Sequence, residues 1–188
     1  MYTSESKNQA GISLIEQIVF ILIVGVAVTG VLAVLITTSR ASADTLTQKQ
    51  ALAIAEALLE EVQVQPFTYC DPDDTLAATA LSAAGCTGGA GGANDESRIP
   101  LAPEGESRAT FDNVSDYNGL AVNPITDING TAAAGLDGYS ASITVDRQGI
   151  GAIPADEALL ITVTVTGPYN TQVALQGYRV RYAPNALP

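Results

Sequence analysis

Glu16 is a carboxylate near the start of a long apolar run, in the stretch GISLIEQIVFILIVGVAV. A charged side chain inside a lipid bilayer costs about 2.5–3.5 kcal/mol on insertion scales, so such a residue usually has a partner or a role. A glutamate that lies close to the membrane interface and reaches water needs no partner. Both interpretations place Glu16 at the beginning of a membrane helix.

Other carboxylates form two clusters whose oxygen atoms are the ligands that calcium prefers. They lie in the stretches CDPDD and DINGTAAAGLDG, and the candidate ligands are Asp71, Asp73, Asp127, Asn129 and Asp137. Neither stretch has the spacing of an EF-hand loop, and Asp or Asn beside Gly or Pro is more often a turn former. Turns are therefore the preferred interpretation, with a calcium site as the weaker alternative.

Enzyme chemistry is not predicted. The chain has no histidine, which removes the Ser–His–Asp and Cys–His arrangements of most nucleophilic hydrolases and the commonest zinc ligand. Its two cysteines cannot fill a four-ligand zinc site. The formal net charge of −12 repels nucleic acid phosphates. We therefore expect a protein that is not an enzyme, binds no nucleic acid and needs no cofactor.

The apolar run is long enough to cross a membrane. Residues 18–36 carry no charged side chain, and their number is close to the roughly 20 residues that a spanning helix needs. We predict a transmembrane helix over residues 12–37. The polar leader MYTSESKNQAG lacks the order of a secretory signal peptide, in which the cleavage site follows the apolar core. A cut after Gly11 would instead remove residues 1–11 and leave Ile12 as the new amino terminus.

The same helix is predicted to continue through residues 38–65, because this stretch contains no Gly or Pro. Ala51, Ala55, Leu58 and Val62 recur at helical spacing and form an apolar stripe that packs on a soluble domain. Pro66 ends the pattern. A coiled-coil stalk is the alternative, but the stripe is too short for several heptads.

Residues 66–106 are rich in Gly, Ala, Ser and Pro and have no sustained period, which predicts a loop. Cys70 and Cys86 bracket its first part. If the domain lies outside the cytoplasm, we expect them to form a disulfide, which for a loop of this size is worth about 3 kcal/mol. The alternative of a redox or metal pair lacks the C-x-x-C spacing.

Residues 107–188 are predicted to form an antiparallel sheet of three or four strands packed on the helix, which gives an α+β fold. GYSASITVD and LLITVTVTG alternate apolar and polar residues with a period of two. In QVALQGYRVRY the apolar face changes side at Gln176–Gly177, where we predict a β-bulge. GPYNTQ is the hairpin connection before this strand, and SRATFDNV is a weaker candidate strand.

GISLIE followed by the apolar run resembles the class III signal of type IV pilins and of type II secretion pseudopilins, whose usual form is GFTLIE. Ile12 and Ser13 are mild departures from that form. The stretches PFTYCDPDD, FDNVSDYNGL, PITDING and GYSASITV further resemble the D-type minor pilins of the mannose-sensitive haemagglutinin (MSHA) pilus. The resemblance therefore covers most of the chain.

The resemblance implies cleavage after Gly11 by a prepilin peptidase, N-methylation of Ile12, and pairing of Glu16 with the new amine of a neighbouring subunit. It also implies the pilin lollipop architecture, with half of the helix in lipid and half on a head domain. The implied partners are the prepilin peptidase, other pilin subunits through the N-terminal helix, the inner-membrane assembly platform and membrane lipid. The implied location is the bacterial inner membrane, with a periplasmic C-terminal domain, and then the pilus or cell surface.

We therefore expect a structural minor pilin or pseudopilin that joins, primes or caps a type IV pilus of MSHA type. Two alternatives stay open. One is a pseudopilin of a type II secretion system, and the other is a signal-anchored periplasmic adhesin or binding module.

Overall fold

The computed structural model describes residues 13–96 and 107–185. The chain divides into two compact units, Met1–Ala43 and Asp44–Pro188. One helix, α1, runs from Leu14 to Val64 and contributes to both units. The predicted long N-terminal helix is confirmed.

The first unit contains the apolar part of α1. Leu14–Thr38 reaches a mean hydropathy of 3.1, is long enough to cross a membrane, and has no buried residue in its most apolar part. The hydroxyl of Thr29 donates to the carbonyl of Gly25 at 2.7 Å, so this polar side chain is satisfied within the helix. It is the single helix with the length and composition of a membrane span in the part of the chain that the structure describes.

In the second unit, α1 packs on the sheet through the predicted stripe. Its predicted members Ala51, Ala55, Leu58 and Val62 are all buried, and Ile54, which was not among them, is buried as well. They join one continuous core with the inner face of the sheet. Alanine at two of these positions brings the helix backbone close to the strands, and burial of each larger side chain contributes about 1.5–3 kcal/mol. The helix ends at Val64 because the ring of Pro66 cannot continue the helical hydrogen bonds.

Four antiparallel strands form the sheet, in the same order as in the chain. They are β1 (Ala121–Val122), β2 (Ser140–Arg147), β3 (Ala158–Gly167) and β4 (Thr171–Val180). The alternation predicted for the central strands is confirmed by the buried residues Ala141, Ile143, Val145, Ile161, Val163 and Val165. Pro168–Asn170 makes the predicted hairpin connection. The fold is α+β, a long helix packed on a small antiparallel sheet.

The β-bulge predicted at Gln176–Gly177 is wrong. β4 pairs with β3 in one unbroken register along its whole length. Val173 and Leu175 lie on the core face, where they pack against the buried cluster. Tyr178 and Val180 lie on the opposite face of the sheet. The apolar pattern therefore changes side at Gln176–Gly177, but the β3–β4 pairing continues without an extra residue.

Gly177 lies on the core face, directly beneath α1. A Cβ added there would clash with the amide of Gln63 and lie 3.2 Å from Cδ1 of Leu59. At the beginning of β4, the hydroxyl of Thr171 is 3.1 Å from that of Thr47. These contacts show that the second part of α1 runs along β4 in the same direction, with the glycine allowing the closest approach.

The candidate strand SRATFDNV is also wrong. Its residues form a turn and then lead into a 3-10 helix, Val114–Tyr117. The side chain of Asn113 accepts the N–H of Ser115, and the carboxylate of Asp116 accepts the N–H of Asn113 at 2.8 Å. These side chains satisfy the backbone locally, so the segment does not need strand pairing.

Candidate assembly and ligand sites

Glu16 lies in the first turns of α1 and is exposed among exposed apolar side chains, including Ile15 and Phe20. Among residues 13–96 and 107–185, no basic side chain forms an ion pair with it. A carboxylate on an exposed apolar helix is therefore available to a basic group of another molecule. Gly11 and Ile12, the predicted processing site, lie outside the described residues.

Two of the five calcium candidates come together. Asp71 and Asp73 each place a carboxylate oxygen within 4.8 Å of the other and of Asp112. Asp112 is far from them in the sequence, so spacing gave no sign of its position. The Asp71 carboxylate also accepts the backbone N–H of Asp73 at 2.7 Å, which is the hydrogen bond of an Asx turn. Calcium binding by this cluster stays a prediction.

Asp127 and Asn129 lie in a different turn, which uses the Asp127 carboxylate, and Asp137 lies in a third turn. Oδ1 of Asp127 accepts the backbone N–H groups of Asn129 at 2.9 Å and Thr131 at 2.8 Å. Gly130 supplies the left-handed backbone, with φ of 83°. Asp137 is exposed and makes no hydrogen bond or ion pair within the described ranges. Turn formation accounts for Asp127.

The predicted disulfide joins Cys70 and Cys86, and both cysteines are buried. Asp74 stabilises the same loop, since its carboxylate accepts the Leu76 N–H at 3.0 Å and both the N–H and the hydroxyl of Thr87. These donors, the Leu76 N–H foremost, hold the pKa of Asp74 below its usual range. The loop is therefore fastened covalently and by an ionised carboxylate.

Glu61 on α1 is the centre of a polar network that the sequence did not predict. Arg108 donates from Nε to Glu61 Oε1 at 2.7 Å and from Nη2 to Oε2 at 2.5 Å. The hydroxyl of Tyr117 donates to the same Oε1 at 3.1 Å. Nη1 of Arg108 donates to the carbonyl of Thr126 at 3.0 Å. The network ties the helix to two loop segments.

Two members of this network, Tyr117 and Arg108, have raised pKa values. Burial raises the pKa of Tyr117 to about 12, and the negative charge of Glu61 acts in the same direction. The hydrogen bond to Glu61 raises the pKa of Arg108 above its ordinary value. The network is an ion pair with a neutral phenol as an additional donor, which is suited to holding the fold together.

No protein-family model, curated protein or solved structure matches the chain.

Proposed function

We propose that the protein is a structural minor pilin or pseudopilin of MSHA type, which is cleaved after Gly11 and assembles with related subunits into a filament or its tip. The observation that carries the proposal is the GISLIE sequence at the start of an exposed apolar helix that continues into an α+β domain. Cleavage of a secretory signal peptide removes its apolar core from the mature protein, whereas a cut after Gly11 leaves the apolar helix in place as an anchor.

The exposed surface of α1 supports an assembly role. Leu14–Thr38 carries apolar side chains, with none buried in its most apolar part. Lipid covers this surface in a membrane, and helices of neighbouring subunits can cover it in a filament through close packing. Gly25 and Gly30 have open space around them, which lets a neighbouring helix approach closely.

Glu16 gives such an assembly its register. After cleavage, the amino group of Ile12 in a neighbouring subunit carries a positive charge, and pairing with it offsets the cost of burying the Glu16 carboxylate. Apolar surfaces alone allow helices to slide along one another, whereas a charge pair has one low-energy position. The net charge of −12 opposes repeated self-stacking, which favours low copy number and mixed partners.

The first test is the intact mass and amino-terminal sequence of the full chain from membranes, with and without a co-expressed prepilin peptidase. We expect a peptidase-dependent start at Ile12, with one added methyl group. Gly11→Val should block cleavage because a bulky side chain replaces the small residue at the cut, and Ala10→Val is the matched control. A wild-type chain that still begins at Met1 beside active peptidase would contradict the proposal.

Assembly is tested separately, in cells that produce the remaining pilus subunits. Glu16→Ala should be cleaved normally but be missing from sheared filaments, whereas the adjacent control Gln17→Ala should be incorporated. Equal incorporation of both variants would overturn the role of Glu16. A wild-type chain that is cleaved but found only in the membrane would favour an anchored binding module instead.

A further inference from the structure

Three arginines lie together at one end of the sheet. In the register of the strands, Arg147 of β2 and Arg179 of β4 both lie opposite Leu159 of β3, so the three residues form a row across the core face. Arg181 follows on the same face, and its backbone N–H continues the register by donating to the carbonyl of Glu157 at 3.0 Å. β3 lies between β2 and β4, so Arg147 and Arg179 are two strand spacings apart, about 10 Å, a distance that two long side chains can bridge.

Arg181 is buried, with 8% of the residue exposed. Its guanidinium carbon lies 3.8 Å from the ring centre of Phe67 and 4.5 Å from that of Tyr69. Nη1 donates to the carbonyl of Asp156 at 2.8 Å and reaches a carboxylate oxygen of Glu157 at 3.5 Å. Nε and Nη2 are buried and have no hydrogen-bond acceptor in the part of the chain that the structure describes.

Arg147 has the same two nitrogen atoms, Nε and Nη2, buried without an acceptor among the described residues, and Arg179 has its Nε. Burial lowers the pKa of Arg181, the carboxylate of Glu157 opposes this effect, and the positive charge of Arg147 adds to it. The charges of Arg147 and Arg181 therefore act on each other. Buried charged donors without acceptors are costly and rare in folded proteins.

Arg108 shows which acceptor fits this edge of a guanidinium group. Its Nε and Nη2 donate to the two carboxylate oxygens of Glu61. Two parallel N–H groups match the two oxygens of a carboxylate and form a strong, oriented pair. The atoms of Arg147 and Arg181 that have no acceptor are the same two.

We propose that Arg147, Arg179 and Arg181 form a binding site for a carboxylate ligand, supplied by a small di- or tricarboxylate or by acidic side chains of a partner protein. Arg147 and Arg181 bind carboxylate oxygens through their Nε–Nη2 edges, and the half-buried Arg179 binds from the edge strand. Three of the eight basic residues in this acidic chain are concentrated here, so the site attracts a ligand that the remaining surface repels. The site is independent of the assembly function proposed above.

The test follows the arginine Nε–Hε signals by NMR, with the full chain in non-ionic detergent micelles. Citrate is the probe, and sodium chloride at equal ionic strength is the reference. We expect saturable shifts at Arg147 and Arg181 with citrate and none with chloride. The signal of Arg108 should stay unchanged, because its edge already binds Glu61. Shifts that do not saturate, or that are as large at Arg108, would overturn the site.

Variants identify the groups that bind. Arg147→Gln should weaken citrate binding about tenfold or more, because it removes one bidentate pair. Lys49→Gln, on an exposed position of α1, should leave the affinity unchanged. If the spectrum of Arg147→Gln shows loss of the fold, Arg179→Gln serves in its place with a severalfold loss expected. Wild-type affinity in a folded arginine variant would overturn the proposal.

A peptide of six glutamates is the second probe and separates the two sources of carboxylate. Tighter binding of the peptide than of citrate assigns the ligand to a partner protein. Tighter binding of citrate assigns it to a small carboxylate. Saturable binding of neither probe overturns the proposal.

Discussion

Arg108 binds both carboxylate oxygens of Glu61, and this ion pair fastens a loop segment to α1 across 47 positions of sequence. The two side chains are only 12% and 21% exposed, so water screens the pair less than it screens a surface salt bridge. Tyr117 adds a third hydrogen bond to the same carboxylate. The pair therefore contributes to the stability of the domain as well as to its geometry.

Replacing Glu61 with glutamine removes the charge while keeping the shape. We expect Glu61→Gln to lower the free energy of unfolding by about 1.5–3 kcal/mol, because Arg108 keeps its charge and loses its bidentate partner. Glu60→Gln, on the exposed side of the helix, should change it by less than about 0.5 kcal/mol. Denaturant unfolding in detergent micelles measures both. Equal losses for the two variants would contradict a special role for the pair.

The raised pKa of Tyr117 predicts a loss of folding stability at alkaline pH. Its pKa in the folded protein is about 12, above the value of 10.0 for a free side chain, so folding favours the protonated phenol. This contribution to stability is complete below about pH 10 and is lost as the pH rises from 10 through 12. Tyr117→Phe should remove the last step of the tyrosinate absorbance titration and reduce the loss of stability over this range. The exposed Tyr182 is the control, since Tyr182→Phe should leave that last step in place.

The lowered pKa of Asp74 predicts that folding stability decreases at acid pH. Its donors hold the pKa of the folded carboxyl below the free value of 3.8, so its contribution is present above that pH and is lost as the pH falls through the folded pKa. Asp74→Asn should therefore lower the Tm at neutral pH, and the difference from the wild type should shrink below about pH 4. Asp73→Asn, at an exposed neighbouring position, should have nearly the wild-type Tm throughout. A difference for Asp74→Asn that does not vary with pH would exclude the ionised carboxylate as its cause.

The close contact between Gly177 and α1 predicts that a larger side chain at this position destabilises the domain. Gly177→Val should lower the free energy of unfolding by about 1–3 kcal/mol, because the new methyl groups meet Leu59 and Gln63 on the helix. Gln63→Ala in the same chain should recover part of the loss. Ala174→Val, on the exposed face of β4, is the control and should be close to neutral. A neutral Gly177→Val would mean that the helix does not lie over this position.

The central strands could be predicted because their alternation is a local property of β2 and β3. β4 could not be predicted in the same way. Tyr178 and Val180 suggested that the core face changes side, but the core face instead continues through Gly177 to Arg179. The next arginine on that face, Arg181, stacks on the ring of Phe67. No local pattern contains a contact between such distant segments.

The candidate sites also differ in whether local sequence or a contact between distant segments makes them recognisable. Glu16 can be picked out from the sequence because most of the residues around it are apolar. The Cys70–Cys86 disulfide could be predicted because two cysteines allow only one pairing. Glu61 looked like any other polar residue of an amphipathic helix. Its importance depends on Arg108, which lies 47 positions away in the sequence, in a turn. Spacing in the sequence does not encode such a meeting.

The order of the strands has a consequence for the growing chain. Each strand pairs with its neighbour in the sequence, whereas α1 contacts the sheet across long separations, 89 positions from Gln50 to Tyr139 and 124 from Thr47 to Thr171. A chain that leaves the ribosome amino end first exposes the apolar stripe of α1 long before β2 to β4 exist to cover it. The strands can then pair quickly, since they are close in sequence. The period in which the stripe is open to aggregation or chaperone binding is thus set by the rate of translation.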